Sequence, residues 1–174
     1  ITMSENTEMA LLVNTLNLMD SVVGSLATRP PLALNLSIHA QVGLAARLTL
    51  VQLQNEALNS FHFSQCQINV ESNAHVQSLV LSLGAQLIRN YFHLKFCGER
   101  AFAGVYGLGA LSASQHLDNS TFIQHALGHN QSVQPYKSVL SDNSHSVFRG
   151  RVLIEPKAQK ADSEQLNNNL LLTA

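Results

Sequence analysis

The most regular feature of the chain is a succession of short segments in which apolar and polar residues alternate. These segments span residues 32–35, 48–54, 61–70, 76–83, 91–97, 101–106, 121–126, 136–140 and 147–154. Asparagine, glycine, serine and histidine fill the intervals between them, and no stretch after Pro31 keeps a helical period for three turns. Alternation of this kind is typical of β-strands. The pattern therefore predicts an all-β fold.

The N-terminal region, residues 3–23, leaves two interpretations open. Apolar residues spaced three or four apart, from Met9 to Met19, fit one face of a helix. Two short strands, 10–13 and 22–23, separated by polar residues, fit the same sequence. We favour the two strands. The Thr-Arg-Pro-Pro run at 28–31 predicts a turn or an extended connector after them.

Alanine recurs at a fixed place, where a polar corner ends and a strand begins. It does so at nearly equal intervals at Ala46, Ala74 and Ala101, and a similar corner with a less regular spacing appears at Ala158. A repeat of roughly 27 residues is shorter than a propeller blade of about 40 residues. It fits one turn of a parallel β-helix, a solenoid in which each coil stacks on its neighbour.

The last stretch, residues 147–174, combines a strand with an unusual run of side-chain amides. The strand ends at Glu155-Pro156, because proline has no N–H for a ladder and biases the preceding residue to an extended conformation. A polar segment follows and closes on three leucines, 170–172. This pattern predicts a surface that buries polar groups in a defined register. The predicted interface residues are Lys160, Asp162, Gln165, Asn167, Asn169 and Leu171.

The composition argues against several classes of protein. Charged residues make up 12% of the 174 residues, whereas globular chains average roughly 25%. The ten lysines and arginines are scattered singly and the net charge is −1, so we expect no nucleic-acid partner. No apolar run approaches the ~18 residues of a membrane span. Two cysteines are too few for a disulfide framework, which favours a reducing compartment.

The two cysteines share a pattern that offers a metal-site candidate. His62 and His93 each precede a cysteine, Cys66 and Cys97, by four positions. On a strand those four positions span about 13 Å, so one pair cannot hold an ion alone. The two cysteines are separated by close to one coil of the predicted repeat, so stacked strands would bring Cys66 towards Cys97 and His62 towards His93. The favoured alternative is that both thiols are small apolar core groups.

Other polar residues carry weaker signals. Gln54 closes an alternating strand, where it either points into the solenoid or satisfies backbone groups at a corner. His125 and His129 have helical spacing, but Gly128 favours a bend, and we interpret both as structural. Lys137 either pairs with an acid, Asp118 or Asp142, or is solvated. The chain has no serine nucleophile elbow and no phosphate-binding glycine loop.

Several strings together resemble one family. They are F-R-G-R-V at 148–152, A-Q-K-A-D at 158–162 and Q-L-N-N-N-L-L-L at 165–172, with upstream echoes at 53–55, 82–84, 89–90, 116–119 and 136–137. In this order they resemble the SufB/SufD family of scaffold subunits in the SUF system for iron–sulfur cluster assembly. The SufD branch fits better, because aromatic residues that SufB carries after its Gln-Asn are missing here. The resemblance covers most of residues 48–174 and little of 1–47.

The resemblance implies a right-handed parallel β-helix, here a single core domain over residues 1–174, as part of a longer chain. It implies a non-enzymatic scaffold that binds a SufB-like subunit or a second copy through its C-terminal strands, together with a SufC-like ATPase. It places Gln54 and Lys137 at family Gln and Lys positions, whereas Asn130 stands where members often carry a cysteine. The expected location is the cytoplasm, or alternatively the plastid stroma.

The resemblance also limits the chemistry that we expect. It places the ligands that SufD contributes to a nascent cluster beyond Ala174, so we expect no cofactor on this chain alone. Two alternatives stay open, a polysaccharide-cleaving β-helix enzyme and a purely structural solenoid. The enzyme would need acids grouped on one outer face. The positions of Glu56, Glu71, Asp118, Asp142 and Glu155 therefore discriminate between these interpretations.

Overall fold

The computed structural model describes residues 1–16 and 31–172, and every regular element among them is a β-strand. The strands are β1 (Thr2–Met3), β2 (Glu8–Leu16), β3 (Ala33–Val42), β4 (Arg47–Asn55), β5 (Phe61–Val70), β6 (His75–Ser82), β7 (Leu87–Phe96), β8 (Phe102–Leu111), β9 (His116–His125), β10 (Gln131–Leu140), β11 (His145–Ile154) and β12 (Asp162–Leu171). No helix in the described ranges is long and apolar enough to span a membrane.

The strands form two six-stranded parallel sheets that face each other. Odd-numbered strands make sheet A, in the order β1-β3-β5-β7-β9-β11, and even-numbered strands make sheet B, in the order β12-β10-β8-β6-β4-β2. Each coil of the chain contributes one strand to each sheet, so the fold is a flattened β-solenoid of about five turns. The prediction of an all-β solenoid of stacked parallel strands is confirmed.

The N-terminal prediction is confirmed as far as the structure reaches. Residues 10–13 lie in β2, which pairs in parallel with β4, so the helical interpretation is wrong for this segment. The second short strand, 22–23, and most of the predicted connector 28–31 lie outside the described residues.

Three of the four repeated alanines lie at corners directly before a strand, as predicted, and the fourth does not. Ala46, Ala74 and Ala101 are buried and immediately precede β4, β6 and β8. Ala158 is buried too, but β12 begins only at Asp162. The residue before β10 is Asn130. Its side chain accepts the Ala101 N–H at 2.8 Å and donates to two carbonyls, so an amide replaces the methyl group there.

Nine corners of the described chain contain a non-glycine residue in the left-handed region. They are Asn6, Ala45, Asn73, Ala85, Arg100, Ala113, His129, Asp142 and Lys160, with φ between 51° and 61°. This conformation costs an L-residue roughly 1–2 kcal/mol. The coil-to-coil hydrogen bonds at these corners compensate, as where the Ala45 N–H donates to the Ser72 carbonyl at 2.9 Å.

The interior is lined by alternate residues of both sheets. Its apolar part is a continuous cluster around Ile68, Leu94 and Phe96, with Leu48 and Val76 from the opposite sheet. Gly107 lies at an inward position of β8, where a Cβ atom would overlap the ring of Tyr136. A second, smaller apolar cluster contains Ile88, Leu111 and Leu117. The other buried inward side chains include polar groups, and these form the candidate site.

Candidate functional site

Three buried polar side chains meet at the corner between β4 and β5. Gln54 is the last inward residue of β4, Glu56 follows the strand directly, and His62 is the second residue of β5. His62 Nδ1 lies 2.8 Å from Glu56 Oε1, and Gln54 Nε2 donates to Glu56 Oε2. The structure thus places Gln54 inside the solenoid. The pair of Glu56 with His62 was not predicted, because only the chain turn brings these residues together.

Glu56 carries an ionisable carboxyl group in the interior. Burial alone would raise its pKa, but hydrogen bonds from His62, Gln54 and Thr15 outweigh burial and hold the pKa below its ordinary value. The carboxylate therefore stays charged at neutral pH. The side chains of Glu56 and His62 are each 3% exposed, so this pair cannot reach a substrate at the surface.

A second polar cluster continues along the interior of sheet A. Ser64 Oγ donates to Asn90 Oδ1 at 2.7 Å, and Asn90 Nδ2 donates to Asn119 Oδ1 at 2.9 Å and to Ser82 Oγ at 3.2 Å. Ser64, Asn90 and Asn119 are register neighbours on β5, β7 and β9. One amide thus links three successive coils and fixes their register.

The third cluster lies nearer to β12. Thr121 Oγ1 donates to Gln134 Oε1 at 2.8 Å. His125 Nε2 lies 3.1 Å from Ser132 Oγ, its ring packs against Phe96, and burial lowers its pKa. His129 is instead exposed at a corner with positive φ, so the two histidines do not share a helical turn.

The candidate metal site is wrong, because the structure does not bring the two cysteines and the two histidines together. Cys66 is buried, as the favoured alternative of two core thiols predicts, but Cys97 is only partly buried. The coil from β5 to β7 is shorter than the separation of the two cysteines, so Cys66 pairs with Phe92 and His62 with Ile88. Cys66 and His62 are buried inward positions, whereas His93 faces outward and stacks on Phe122. Cys97 lies beyond the end of β7, well past the position that faces Cys66.

The thiol environments disfavour ligand chemistry. Burial raises the pKa of Cys66 to about 12, and burial with the nearby Glu71 raises that of Cys97. No group of three or more His, Cys, Asp or Glu side chains in residues 1–16 and 31–172 is placed to hold a metal ion.

An ion pair on the outer face of sheet A was also missed. Arg149 Nη2 donates to Asp118 Oδ2 at 2.6 Å, and Arg89 lies on the other side of the same carboxylate at 4.0 Å. The three residues belong to β11, β9 and β7. The repeat length is the sequence signal that could have found this ion pair, because it determines which residues of successive coils lie side by side. Lys137 is exposed on β10 of the opposite sheet, so it does not pair with Asp118.

The predicted interface residues lie on or beside β12, which pairs only with β10 among the described strands. Gln165, Asn167, Asn169 and Leu171 are in register with the buried interior residues Gln134, Tyr136, Ser138 and Leu140. They continue the interior columns but are exposed, Leu171 to 68%. Asp162 faces outward and Lys160 lies in the preceding corner. The amides thus point towards the interior of an uncovered coil.

Fold and interior together define a class of protein: a two-sheet parallel β-solenoid with a partly polar interior and an uncovered coil at β12. The family described as "SUF system FeS cluster assembly, SufBD core domain" matches residues 15–174. The chain belongs to this SufBD core domain family.

Individual relatives agree with the family. An iron–sulfur cluster assembly SufBD family protein of Mycobacterium tuberculosis is 31% identical over 136 residues, covering 74% of this chain and 34% of the relative. Escherichia coli SufD is 28% identical over 75% of this chain and 31% of its own length. A SufBD family protein of Synechocystis is 26% identical over 80% and 31%. The chain therefore spans about a third of the length of each of these three relatives.

Proposed function

We propose that this chain is the core of a SufD-like scaffold subunit in SUF iron–sulfur cluster assembly. It acts by complex formation with a SufB-like subunit and a SufC-like ATPase, and it has no turnover of its own. The family match over residues 15–174 carries this proposal. The nascent cluster is the cargo of the whole complex rather than a cofactor of this chain.

The positions of the acidic residues support a scaffold over a polysaccharide-cleaving enzyme. Glu56 is inside the solenoid, Asp118 is held by arginine on the outer face of sheet A, and Glu71 is exposed at the corner after β5. Asp142 lies at the corner after β10, and Glu155 accepts a hydrogen bond from Gln124 after β11. Carboxylates that cleave glycosidic bonds must flank one bond within about 10 Å. These five are dispersed over the interior, the corners and an outer face.

The partner surface that we propose is the open coil, β11 and β12. An unpaired parallel strand presents alternate N–H and C=O groups that can pair with a further strand. Gln165, Asn167 and Asn169 would become interior residues beneath that added coil, and each amide can both donate and accept. A SufB-like subunit or a second copy supplies the coil. Where the polypeptide itself continues, its own next coil would take this place.

A reconstitution tests the proposal. The chain is mixed with the SufB-like subunit and the SufC-like ATPase of the same source, and complexes are separated by size-exclusion chromatography with light scattering. We expect a complex with wild type and its loss with Leu171→Lys, which buries a charge beneath the added coil. The control is Leu58→Lys, at a leucine 58% exposed in the corner after β4. No complex with wild type, or equal loss with both variants, contradicts the proposal.

A further inference from the structure

The outer face of sheet A holds a pocket that the proposed function does not involve. Its volume is about 400 Å³, and its lining residues come from the five strands β3, β5, β7, β9 and β11. Small-molecule sites in proteins occupy roughly 300–1,000 Å³. The pocket is therefore large enough for a small organic ligand.

Two arginines converge in this pocket over one buried carboxylate. Arg149 Nη2 lies 2.6 Å from Asp118 Oδ2, and Arg89 Nε lies 4.0 Å from the same oxygen. The side chain of Asp118 is 9% exposed, whereas those of Arg89 and Arg149 are 61% and 67% exposed. Asp118 thus holds both guanidinium groups from beneath. Each guanidinium has five N–H donors, so donors remain on the solvent side for a ligand.

The charge of this face favours an anion. The cationic residues at outward positions of the described sheet A strands are Arg89, Lys95, Arg149 and Arg151, and the one acidic residue there is Asp118. The whole chain, by contrast, has a net charge of −1. A concentration of one sign of charge around a cleft raises the local concentration of ligands with the opposite charge.

Aromatic rings line the pocket beside the arginines. Phe63 of β5 pairs with Arg89 of β7, and Tyr91 is the next outward residue of β7. Phe63 is 37% exposed and Tyr91 is 44% exposed, so both rings can contact a ligand. The side-chain amides of Asn35 and Gln65 line the same pocket and can both donate and accept hydrogen bonds. An exposed aromatic ring of this kind can stack on a planar ring of a ligand.

We propose that this pocket binds a small phosphate monoester that carries a planar ring, of which a mononucleotide is the simplest case. A monoester phosphate has a charge of about −1.5 to −2 at pH 7 and three strong acceptor oxygens. Two guanidinium forks can bind these oxygens in bidentate fashion, above the carboxylate of Asp118. The planar ring stacks on Tyr91, and the amides of Asn35 and Gln65 bind hydroxyl groups of the ligand. A nucleic-acid polymer would need a longer basic stripe than two arginines supply.

Isothermal titration calorimetry of the 174-residue chain with adenosine monophosphate, phenyl phosphate and inorganic phosphate tests this site. We expect both organic phosphates to bind in a 1:1 complex, and inorganic phosphate to bind about 10-fold more weakly, because it has no ring to stack. Arg149→Gln should raise the Kd of adenosine monophosphate by about 10–100-fold, because charge-assisted hydrogen bonds are lost. Tyr91→Ala should raise it by about 10-fold. Circular dichroism checks that both variants fold.

Arg151→Gln is the matched control. It removes the same charge from the same strand and face, but Arg151 lies over the ring of Phe122 rather than in the pocket. We expect it to change the Kd of adenosine monophosphate by less than about 2-fold. Equal weakening by Arg149→Gln and Arg151→Gln overturns the proposal, because it shows only a diffuse attraction between charges. Inorganic phosphate that binds as tightly as adenosine monophosphate overturns it too, as does the absence of saturable binding up to about 5 mM.

Discussion

At the scale of single residues, the interior is the least ordinary part of the molecule. A solenoid core is expected to be apolar, yet here a charged carboxylate and several amides lie among the aliphatic residues. Each buried polar group costs free energy unless it is hydrogen-bonded. The contacts of Glu56 and Asn90 meet that requirement and select one register of the coils.

Replacement of Glu56 by glutamine tests how much the buried carboxylate contributes to stability. The folded-state pKa of Glu56 is lowered, so the carboxylate adds stability above its unfolded pKa and this contribution is lost as pH falls. We expect Glu56→Gln to lower the free energy of unfolding by about 1–3 kcal/mol at pH 7. The difference from wild type should shrink below about pH 4.5. Urea denaturation of wild type and Glu56→Gln at pH 7 and below about pH 4.5 measures this difference in unfolding free energy. A difference that grows as the pH falls would contradict a lowered pKa of Glu56.

The thiols give a negative prediction. A cluster needs several thiolates or imidazoles within a few ångströms, and Cys66 and Cys97 are separated and have raised pKa values. Anaerobic reconstitution of the chain alone with iron and sulfide should give no stoichiometric absorbance near 400 nm. Cluster uptake by the wild-type chain that is lost in Cys66→Ser or Cys97→Ser would contradict this prediction and show that these cysteines form a site.

At the scale of elements, the strands followed from the sequence but their register did not. Alternation found most of the strands because one face of each is buried and the other is solvated, but it did not predict β12, whose residues are nearly all exposed. The cysteine alignment failed because corner length varies: Phe61 pairs with Leu87, but Leu87 pairs with His116, which is a longer coil. The number of residues in each corner sets the length of the coil. The corner residue Asn130 shows that a side-chain amide can take the place of the repeated alanine.

The corner conformations are testable with a matched pair of substitutions. Ala113 has a φ of 51°, which glycine adopts freely, whereas Ala110 lies shortly before it within β8. We expect Ala113→Gly to be neutral or to stabilise by about 0.5 kcal/mol. Glycine loses more conformational entropy on folding than alanine, but relief of the backbone strain at positive φ offsets that cost. Ala110→Gly should destabilise by about 0.5–1 kcal/mol. Equal losses in urea denaturation of both variants would show that the corner stores no strain.

At the scale of the whole molecule, the solenoid presents three surfaces with different chemistry. One outer face carries arginines and aromatic rings, the other carries columns of apolar side chains together with charged ones, and the β12 end is an open coil with inward amides. The sequence predicted the end surface from its run of asparagines. It could not show the two faces, because neighbouring side chains on each face are a full coil apart along the chain, and the coils differ in length.

The central claim is that another coil stacks on β12. Hydrogen exchange of the chain alone and in complex with the SufB-like subunit tests it most directly. Alternate β12 amides have no strand partner beyond β10, so they should exchange fast in the free chain and at least about 100-fold more slowly in the complex. Amides of the central strand β7 serve as the internal control and should not change. A complex that forms while residues 162–171 stay unprotected would contradict the account.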